Sequence, residues 1–499
     1  MSAGRADVLS RDVAALAAVE HDLLVIGGGI YGVTAAYEAA RRGLRTALVE
    51  ANDFCSGVSW NSLKTIHGGL RHLQRLDLAS HRESVRERRL LLRLAPAVVR
   101  PLPFLVPAYG HGPKGREALR LGLLLDDLLA LSRNRGLAHE QRLGAGRMLS
   151  AADTLASVPG LRSEGLAGGA LWEDAQVESS ERLTLAFLRA AAVQGALAAN
   201  HCEAVRLLCV GNRVTGARVR DRETGQEHDL GARIVLNTAG PGAGRLLEPL
   251  GCAPLGPMMQ AANLVFEGPW PLVHRLAVGA RIRERYLFLV PWRDRILVGT
   301  EYWPARERRG GEAVGEFRKE VEQAFPWARL DERRLVLVHR GLVPGEAGPD
   351  GLATRPCFAD HATCGGPAGI LTVQGVKYTT ARAVGERAVC RVLRELGLRK
   401  RTIRPHEPLP RARPLEGSLA ERTRLAVREE MARTLADAVL RRLDLGTAGP
   451  PAESDLEEVA RVMAGERGWD EGRVTAEKAA VARFYEAAYN GNEAGESPS

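Results

Sequence analysis

The sequence predicts an α/β protein: a β-α-β unit near the N-terminus, a mixed or antiparallel sheet interwoven with it, and a helical C-terminal domain. Three observations carry this expectation. A glycine-rich turn, Gly27-x-Gly29-x-x-Gly32, lies between an apolar strand pattern and an alanine-rich helix pattern. Longer strand patterns begin at about residue 263. A stretch with four prolines, 404–414, precedes two helices that open on Ser-x-x-Glu capping boxes.

Taken in order, residues 1–20 read as a poorly patterned lead-in, and 22–26 as a buried strand. A helix follows from about 30 to 42, stopped by Gly43, and 46–49 reads as a second strand ending in Glu50. Residues 71–94 are helical in pattern, and Pro96, Pro101, Pro103 and Pro107 mark a break. A helix at 180–194 leads into short strands, and 234–236 is a further strand, followed by Asn237 to Pro241. A hairpin is expected from 286–290 and 296–300, then strands at 335–339 and 370–373. The C-terminal helices begin at Ser418-x-x-Glu421 and Ser454-x-x-Glu457, the first carrying Met431, Leu435, Val439 and Leu443 on one stripe.

Composition narrows the function classes. The 499 residues are 45% hydrophobic and 26% charged, which fits a folded chain with a large core. No run of eighteen apolar residues occurs, because Asp126 and Asp127 interrupt the most apolar helical stretch, so no membrane span is expected. The first twenty residues carry Arg5, Asp7, Arg11, Asp12 and Glu20 and lack the apolar region of a secretion signal. The net charge of +9 is scattered among acids and accompanied by no nucleic-acid-binding motif, so no nucleic-acid partner is expected. Only six of the 69 basic residues are lysines. Seven cysteines without C-x-x-C spacing fit a reducing cytoplasm and no metal site.

The glycine motif carries the first chemistry. Gly27 permits the tight strand-to-helix turn, Gly29 lets a pyrophosphate approach the backbone, and Gly32 lets helix and strand pack closely. The helix start offers free N–H groups to phosphates. Glu50, 21 residues beyond Gly29, can accept ribose hydroxyls and disfavours a 2′-phosphate, which leaves FAD or NAD. Two later segments suit a planar, anionic ligand: Ser59, Ser62, Lys64, His67, Gly69, Arg71 and His72 in the first, and Gly375, Lys377 and Thr379 in the second.

From about residue 20 to 485 the chain resembles the FAD-dependent glycerol-3-phosphate dehydrogenase/oxidase family, within the D-amino-acid-oxidase-like flavoproteins. The matching residues are 25–32, the segment 59–73 with its Ile66-His67-Gly68-Gly69-Leu70-Arg71 core, and Asp174 to Val177. Asn237 to Pro241, the hairpin from Val290 to Thr300, Thr354-Arg355, Gly375-x-Lys377-x-Thr379 and the C-terminal helices follow in the same order. The resemblance implies a Rossmann-like FAD-binding domain at 21–108, 160–256 and 340–400. It implies a substrate-binding domain at 109–159 and 257–339 and a helical cap at 415–490. FAD would be held by Gly27, Gly29, Gly32, Glu50, Ser59, Ser62, Lys64, His67, Gly69, Ala239, Gly240, Gly375, Lys377 and Thr379. The implied reaction converts sn-glycerol 3-phosphate to dihydroxyacetone phosphate, with electrons passed to quinone or oxygen. Arg71 and Arg355 would bind the substrate. The implied location is cytoplasmic, with peripheral contact at the inner face of the cell membrane, and a homodimer is left open.

Three positions depart from the family pattern. Gly341-Leu342-Val343-Pro344 has Val343 where the family has an arginine, and Gln260-Ala261-Ala262-Asn263 has Asn263 in place of a histidine thought to act on the substrate hydroxyl. His72 replaces a tyrosine. His67, His72 and Lys377 remain as alternative proton acceptors, and Arg340 or His339 as candidates to replace the missing cation. The departures keep two other readings open: an amine, amino-acid or other hydroxy-acid oxidase, and a flavin-binding module with degenerate catalysis.

Overall fold

The computed structural model describes residues 8–73, 75–112, 115–253, 255–283, 285–307, 310–346, 351–398, 403–412 and 415–490. Residues 1–7 of the expected lead-in and Pro414 of the expected linker lie outside the described residues. The rest forms two sheets and a helical cap.

The first sheet has a parallel centre. His21–Ile26 lies between Glu227–Asn237 and Thr46–Val49, with Ile370–Gln374 and Leu197–Ala199 outside them, all parallel. These strands are continuous apolar runs because both faces are covered, one by helices and the other by the short helix Val13–Ala17 and the strands Cys202–Val210 and Arg213–Asp221: Leu23, Leu24, Val25, Leu48, Ile234 and Val235 are fully buried. The helix Ile30–Ala40 packs on one side between Ser180–Val193 and Ala381–Glu395. Glu227–Asn237 continues past the parallel core as an antiparallel arm with Arg213–Asp221 and Cys202–Val210.

The second sheet has nine strands. Its centre is the expected hairpin, Arg285–Trp292 with Arg295–Pro304, flanked by Met258–Glu267 and Leu335–Pro344 on one side and Ala277–Ile282 on the other. Val99–Tyr109 and Leu166–Val177 follow, although 99–108 and 166–177 were expected in the cofactor domain, and the short strands Thr65–Ile66 and Arg147–Leu149 pair with the latter. The prolines at 101, 103 and 107, read as a break, sit inside a strand paired along its whole length with Leu166–Val177. All three share one parity, so their missing N–H groups point to one side. On that side only Ala277–Ile282 meets the strand, at Phe104 and Leu105. The boundary expected at 339/340 likewise falls inside Leu335–Pro344.

Three helix expectations are also corrected. The helix read over 71–94 is two, Leu70–Leu73 and Leu78–Leu94, the second capped by Asp77. The first cap helix has its capping box but ends at Glu430, where Met431 turns left-handed (φ 53°), and a wide turn, Asp437–Arg442, follows. Met431, Leu435, Val439 and Leu443 are nonetheless all buried. The last two helices are Glu453–Arg467 and Glu471–Asn490; the former starts one residue before Ser454, so that serine lies within the first turn and does not cap it.

Candidate active site

The C-terminal ends of the parallel strands are where an open α/β sheet offers a crevice to a ligand. Gly27 has φ +109°, and a Cβ on Gly32 would lie 1.9 Å from the Gly27 carbonyl oxygen, so the turn and the helix packing both demand glycine. Gly29 caps Ile30–Ala40, and a Cβ there would meet only the Ser59 hydroxyl at 3.1 Å, which leaves bare backbone at the helix start. That hydroxyl accepts from the Ile30 N–H at 2.9 Å. Glu50 accepts from the Gly28 N–H at 2.6 Å and the Asn52 N–H at 2.9 Å, and burial pushes its carboxyl pKa up. Across the crevice, Ala239 donates its N–H to the Asn237 side chain at 3.2 Å, and the Gly240 carbonyl accepts from Gln374 at 3.4 Å. A bare helix start with a carboxylate at the end of the next strand fits a dinucleotide.

The segment after Glu50 crosses from the first sheet to the second. Thr65–Ile66 pairs with Ala175 and Gln176, the His67 N–H donates to the Thr379 hydroxyl at 3.1 Å, and the Ser62 hydroxyl accepts from the Lys64 N–H at 3.2 Å. Asp174 accepts from the Gly68 N–H and pairs with Arg88, and so fixes the turn that carries Gly69. Asp174 and Arg88 were given no role by the sequence reading. Asp174 lies in a segment that reading had singled out, but its partners are 106 and 86 residues away.

Lys64 is corrected. It is fully buried, and its ammonium donates to the Trp60 carbonyl and to Ser180 Oγ (2.7 Å), with Glu181 at 3.6 Å and the Trp292 ring beneath it at 5.0 Å. It ties the loop to the helix Ser180–Val193 instead of offering charge to a ligand.

Lys377 meets His72, with Nζ 2.8 Å from Nε2. Tyr31 locks the Lys377 backbone in place: its hydroxyl accepts from the Lys377 N–H at 2.9 Å and donates to the Lys377 carbonyl at 2.7 Å. The Tyr31 ring covers Gly375, where a Cβ would lie 1.7 Å from ring carbon. Tyr31 is a residue the sequence reading missed, although it stands inside the glycine motif. Burial, then the charge of Arg71, lowers Lys377 to about 8. Burial and Lys377 lower His72 to about 4, so the pair holds a single proton at neutral pH, on the lysine. The His67 ring, half open to solvent (52%) within a wall of protein atoms, lies 3.9 Å from Asp174, and burial lowers its pKa. Arg71 is exposed and no carboxylate pairs with it among the described residues.

Arg355 stands at the rim of this group: its side chain is 75% exposed and 3.6 Å from Asp77, the cap of Leu78–Leu94, whose charge also acts on His72 and Lys377. Asn263 is buried; it accepts from the Thr300 hydroxyl at 2.7 Å and reaches the Asn61 carbonyl at 3.4 Å. Parity places Val343 on the same face as Gly341, whose backbone packs against Val58 of the crossing segment. His339 shares that face but is sealed between the Trp60 and Trp292 rings, and burial lowers it to about 3. Arg340 lies on the opposite face with Val338, so neither residue restores a cation at Val343.

Residues 22–391 match the FAD dependent oxidoreductase family, and residues 389–474 match the C-terminal domain of alpha-glycerophosphate oxidase. The glycerol-3-phosphate dehydrogenase of Synechocystis sp. is 31% identical over 398 residues, covering 75% of this chain and 70% of that protein. The mitochondrial glycerol-3-phosphate dehydrogenase of Homo sapiens is 32% identical over 389 residues, 74% of this chain and 52% of that protein. The chain thus spans about half the length of its mammalian relatives. In fold it is similar to the glycerol-3-phosphate dehydrogenase of Bacillus halodurans complexed with FAD, with a TM-score of 0.72, 23% identity, and coverage of 97% of this chain and 98% of that one. It is similar also to the glycine oxidase of Geobacillus kaustophilus, with a TM-score of 0.51, 19% identity, and coverage of 78% and 99%.

Proposed function

The chain belongs to the family of FAD-dependent oxidoreductases, and from that premise we propose that it oxidises the C2 hydroxyl of sn-glycerol 3-phosphate to dihydroxyacetone phosphate. The observation that carries the reading is the Lys377–His72 pair beside Arg71, a proton acceptor next to a guanidinium that pairs with no carboxylate among the described residues. The names of the relatives and the matching C-terminal domain support the same substrate.

Gly29, the N-terminus of Ile30–Ala40 and Glu50 would hold the dinucleotide, and bound FAD supplies the hydride acceptor. Arg71 would grip the substrate phosphate with its fork of N–H donors. Lys377, lowered to about 8, has a neutral fraction near physiological pH and can take the alcohol proton. His72, lowered to about 4, stays neutral, accepts from the lysine ammonium and keeps it aimed. Tyr31 holds the Lys377 backbone through both its N–H and its carbonyl.

The electron acceptor would be quinone or oxygen. No helix among the described residues is long and apolar enough to cross a membrane. A peripheral contact on the cytoplasmic side is supported by Leu121, Leu124, Leu125, Leu128 and Leu131, exposed at helical spacing along Arg116–Leu129 and the turn beyond it. Pelleting with anionic liposomes would show this contact, and its absence at low salt would contradict it.

Asn263 and Val343 favour a second reading, in which the substrate is an amine, an amino acid or another hydroxy acid. Anaerobic stopped-flow absorbance separates the two. Flavin bleaching by sn-glycerol 3-phosphate supports the proposal, whereas bleaching only by amines or hydroxy acids replaces it. A flavin reduced by dithionite alone would indicate a binding module without catalysis.

A further inference from the structure

A second cationic site lies away from the crevice. A cavity of about 480 Å³ opens between the C-terminal half of Leu78–Leu94, the turn at 130–137 and the segment 403–412. Arg86, Arg89, Arg93 and Arg135 line it, with Leu90 as an apolar wall and His406 at its inner end. His406 is bonded to Tyr37 and Arg41, at the C-terminal end of the helix whose N-terminus faces the crevice. Eleven residues of helix, about 16 Å, therefore separate the cavity from the pyrophosphate end.

Its charge is not balanced. Five guanidiniums and two carboxylates line the cavity, and the two carboxylates are already taken. Arg382 forms a bidentate pair with Glu87, at 2.7 Å for both bonds, and reaches Glu386 at 2.9 Å. Arg42 holds the other Glu386 oxygen at 3.1 Å. The His406 ring is lowered to about 4, chiefly by burial, and adds no charge at neutral pH. Arg86 leans on Glu87 at 3.1 Å, while Arg89, Arg93 and Arg135 have no carboxylate among the described residues. Arg89 is held in place by its bond to the Ser132 carbonyl at 2.9 Å. Its pKa is lowered, first by burial and then by Arg93, Arg135 and Arg86, so like charges are crowded here at a cost to the unliganded protein.

The geometry points to a binding site for a small molecule bearing a diphosphate group, held by Arg89, Arg93 and Arg135 and separate from the catalytic crevice. Guanidinium forks match phosphate oxygens in pairs, and a diphosphate supplies enough negative charge to balance the excess of three. The volume is within the range of small-molecule sites.

Isothermal titration of the FAD-loaded protein with inorganic pyrophosphate at 0.15 M salt tests this. One pyrophosphate should bind per chain, and more tightly than orthophosphate. Arg93→Gln with Arg135→Gln, both on the exposed surface, should weaken binding about tenfold or more while leaving the flavin spectrum unchanged. Arg89→Ala should weaken it by a similar factor. Arg71→Ala, in the catalytic crevice, should leave it unaltered. Absence of saturable binding, or binding abolished by Arg71→Ala and indifferent to the Arg93 and Arg135 substitutions, would overturn the site.

Discussion

Two charged clusters lie at opposite ends of the crossing segment that begins at Glu50, and they are built on opposite rules. Where the cap meets the first sheet, Asp53 receives Arg442 through two bonds of 2.6 and 2.8 Å, together with Arg441 and Asn200. Asp437 receives His201 and Arg441, each at 2.8 Å, and the N–H groups of Arg433 and Thr434. Asp53, His201 and Asp437 bring ligand atoms within 4.8 Å of one another, but the guanidiniums already fill that role, and the cluster is an ion-pair network. In the crevice, Arg71 and Lys377 gather positive charge beside a neutral His67, and the carboxylates at its edge, Asp77 and Asp174, are engaged with Ser80 and Arg88. Charges paired throughout hold a cap in place, whereas charges left over hold an anion.

The largest effect should come from the crevice. Lys377→Met is expected to lower kcat/KM by about 10²–10⁴ with thermal stability nearly unchanged, because the proposed role of the residue is to take the alcohol proton. Steady-state rates and a melting curve on one sample check both halves. Asp53→Ala should do the reverse. It strands the buried Arg442 guanidinium and leaves Arg441 to Asp437 alone, costs about 3–5 kcal/mol of stability, and leaves the rate per folded, flavin-loaded site close to wild type. A rate loss with intact stability for Asp53→Ala would erase the contrast.

Acidity separates the regions further. Lys377 works as a base in its neutral form, so log kcat/KM should rise with unit slope as pH increases and level off above about 8. The anchor follows the opposite sense on its alkaline side. Burial opposes the charged His201 ring, but Asp437 outweighs it and holds the pKa above its usual value. That stabilisation is complete below the ordinary histidine pKa of about 6.5 and is lost as pH rises through the elevated one. Asp437, held well below its usual range by His201 and Arg441, contributes above about pH 4 and loses its contribution only in stronger acid. Chemical denaturation between pH 6 and 9 should show a decline in wild type that His201→Gln removes. The smallest change is expected from Glu50→Gln, about three- to tenfold weaker FAD binding by fluorescence, since one charged hydroxyl acceptor becomes a neutral one.

Local pattern made the cofactor half legible. Gly27, Gly29, Gly32 and Glu50 lie within one β-α-β unit, and short-range rules place each of them. The hairpin Arg285–Trp292 with Arg295–Pro304 was readable for the same reason. What failed depended on distant partners. Lys64 looked like ligand charge, but its anchors are Ser180 and Glu181, more than a hundred residues away. Val99–Tyr109 hid behind its prolines, because an edge of ladder that tolerates them becomes visible only in the folded sheet. The fitness of His72 for Lys377 is of this kind too, being a contact between residues 305 positions apart.

The central claim is that Arg71, paired with no carboxylate among the described residues, selects a phosphorylated alcohol. Anaerobic single-turnover flavin reduction with sn-glycerol 3-phosphate and with glycerol, in wild type and in Arg71→Ala, tests it most directly. The account predicts a strong preference for the phosphate ester in wild type. Most of that preference, about 10- to 100-fold, should vanish in Arg71→Ala, with the glycerol rate unmoved. Equal losses on both substrates, or a preference untouched by the substitution, would contradict it.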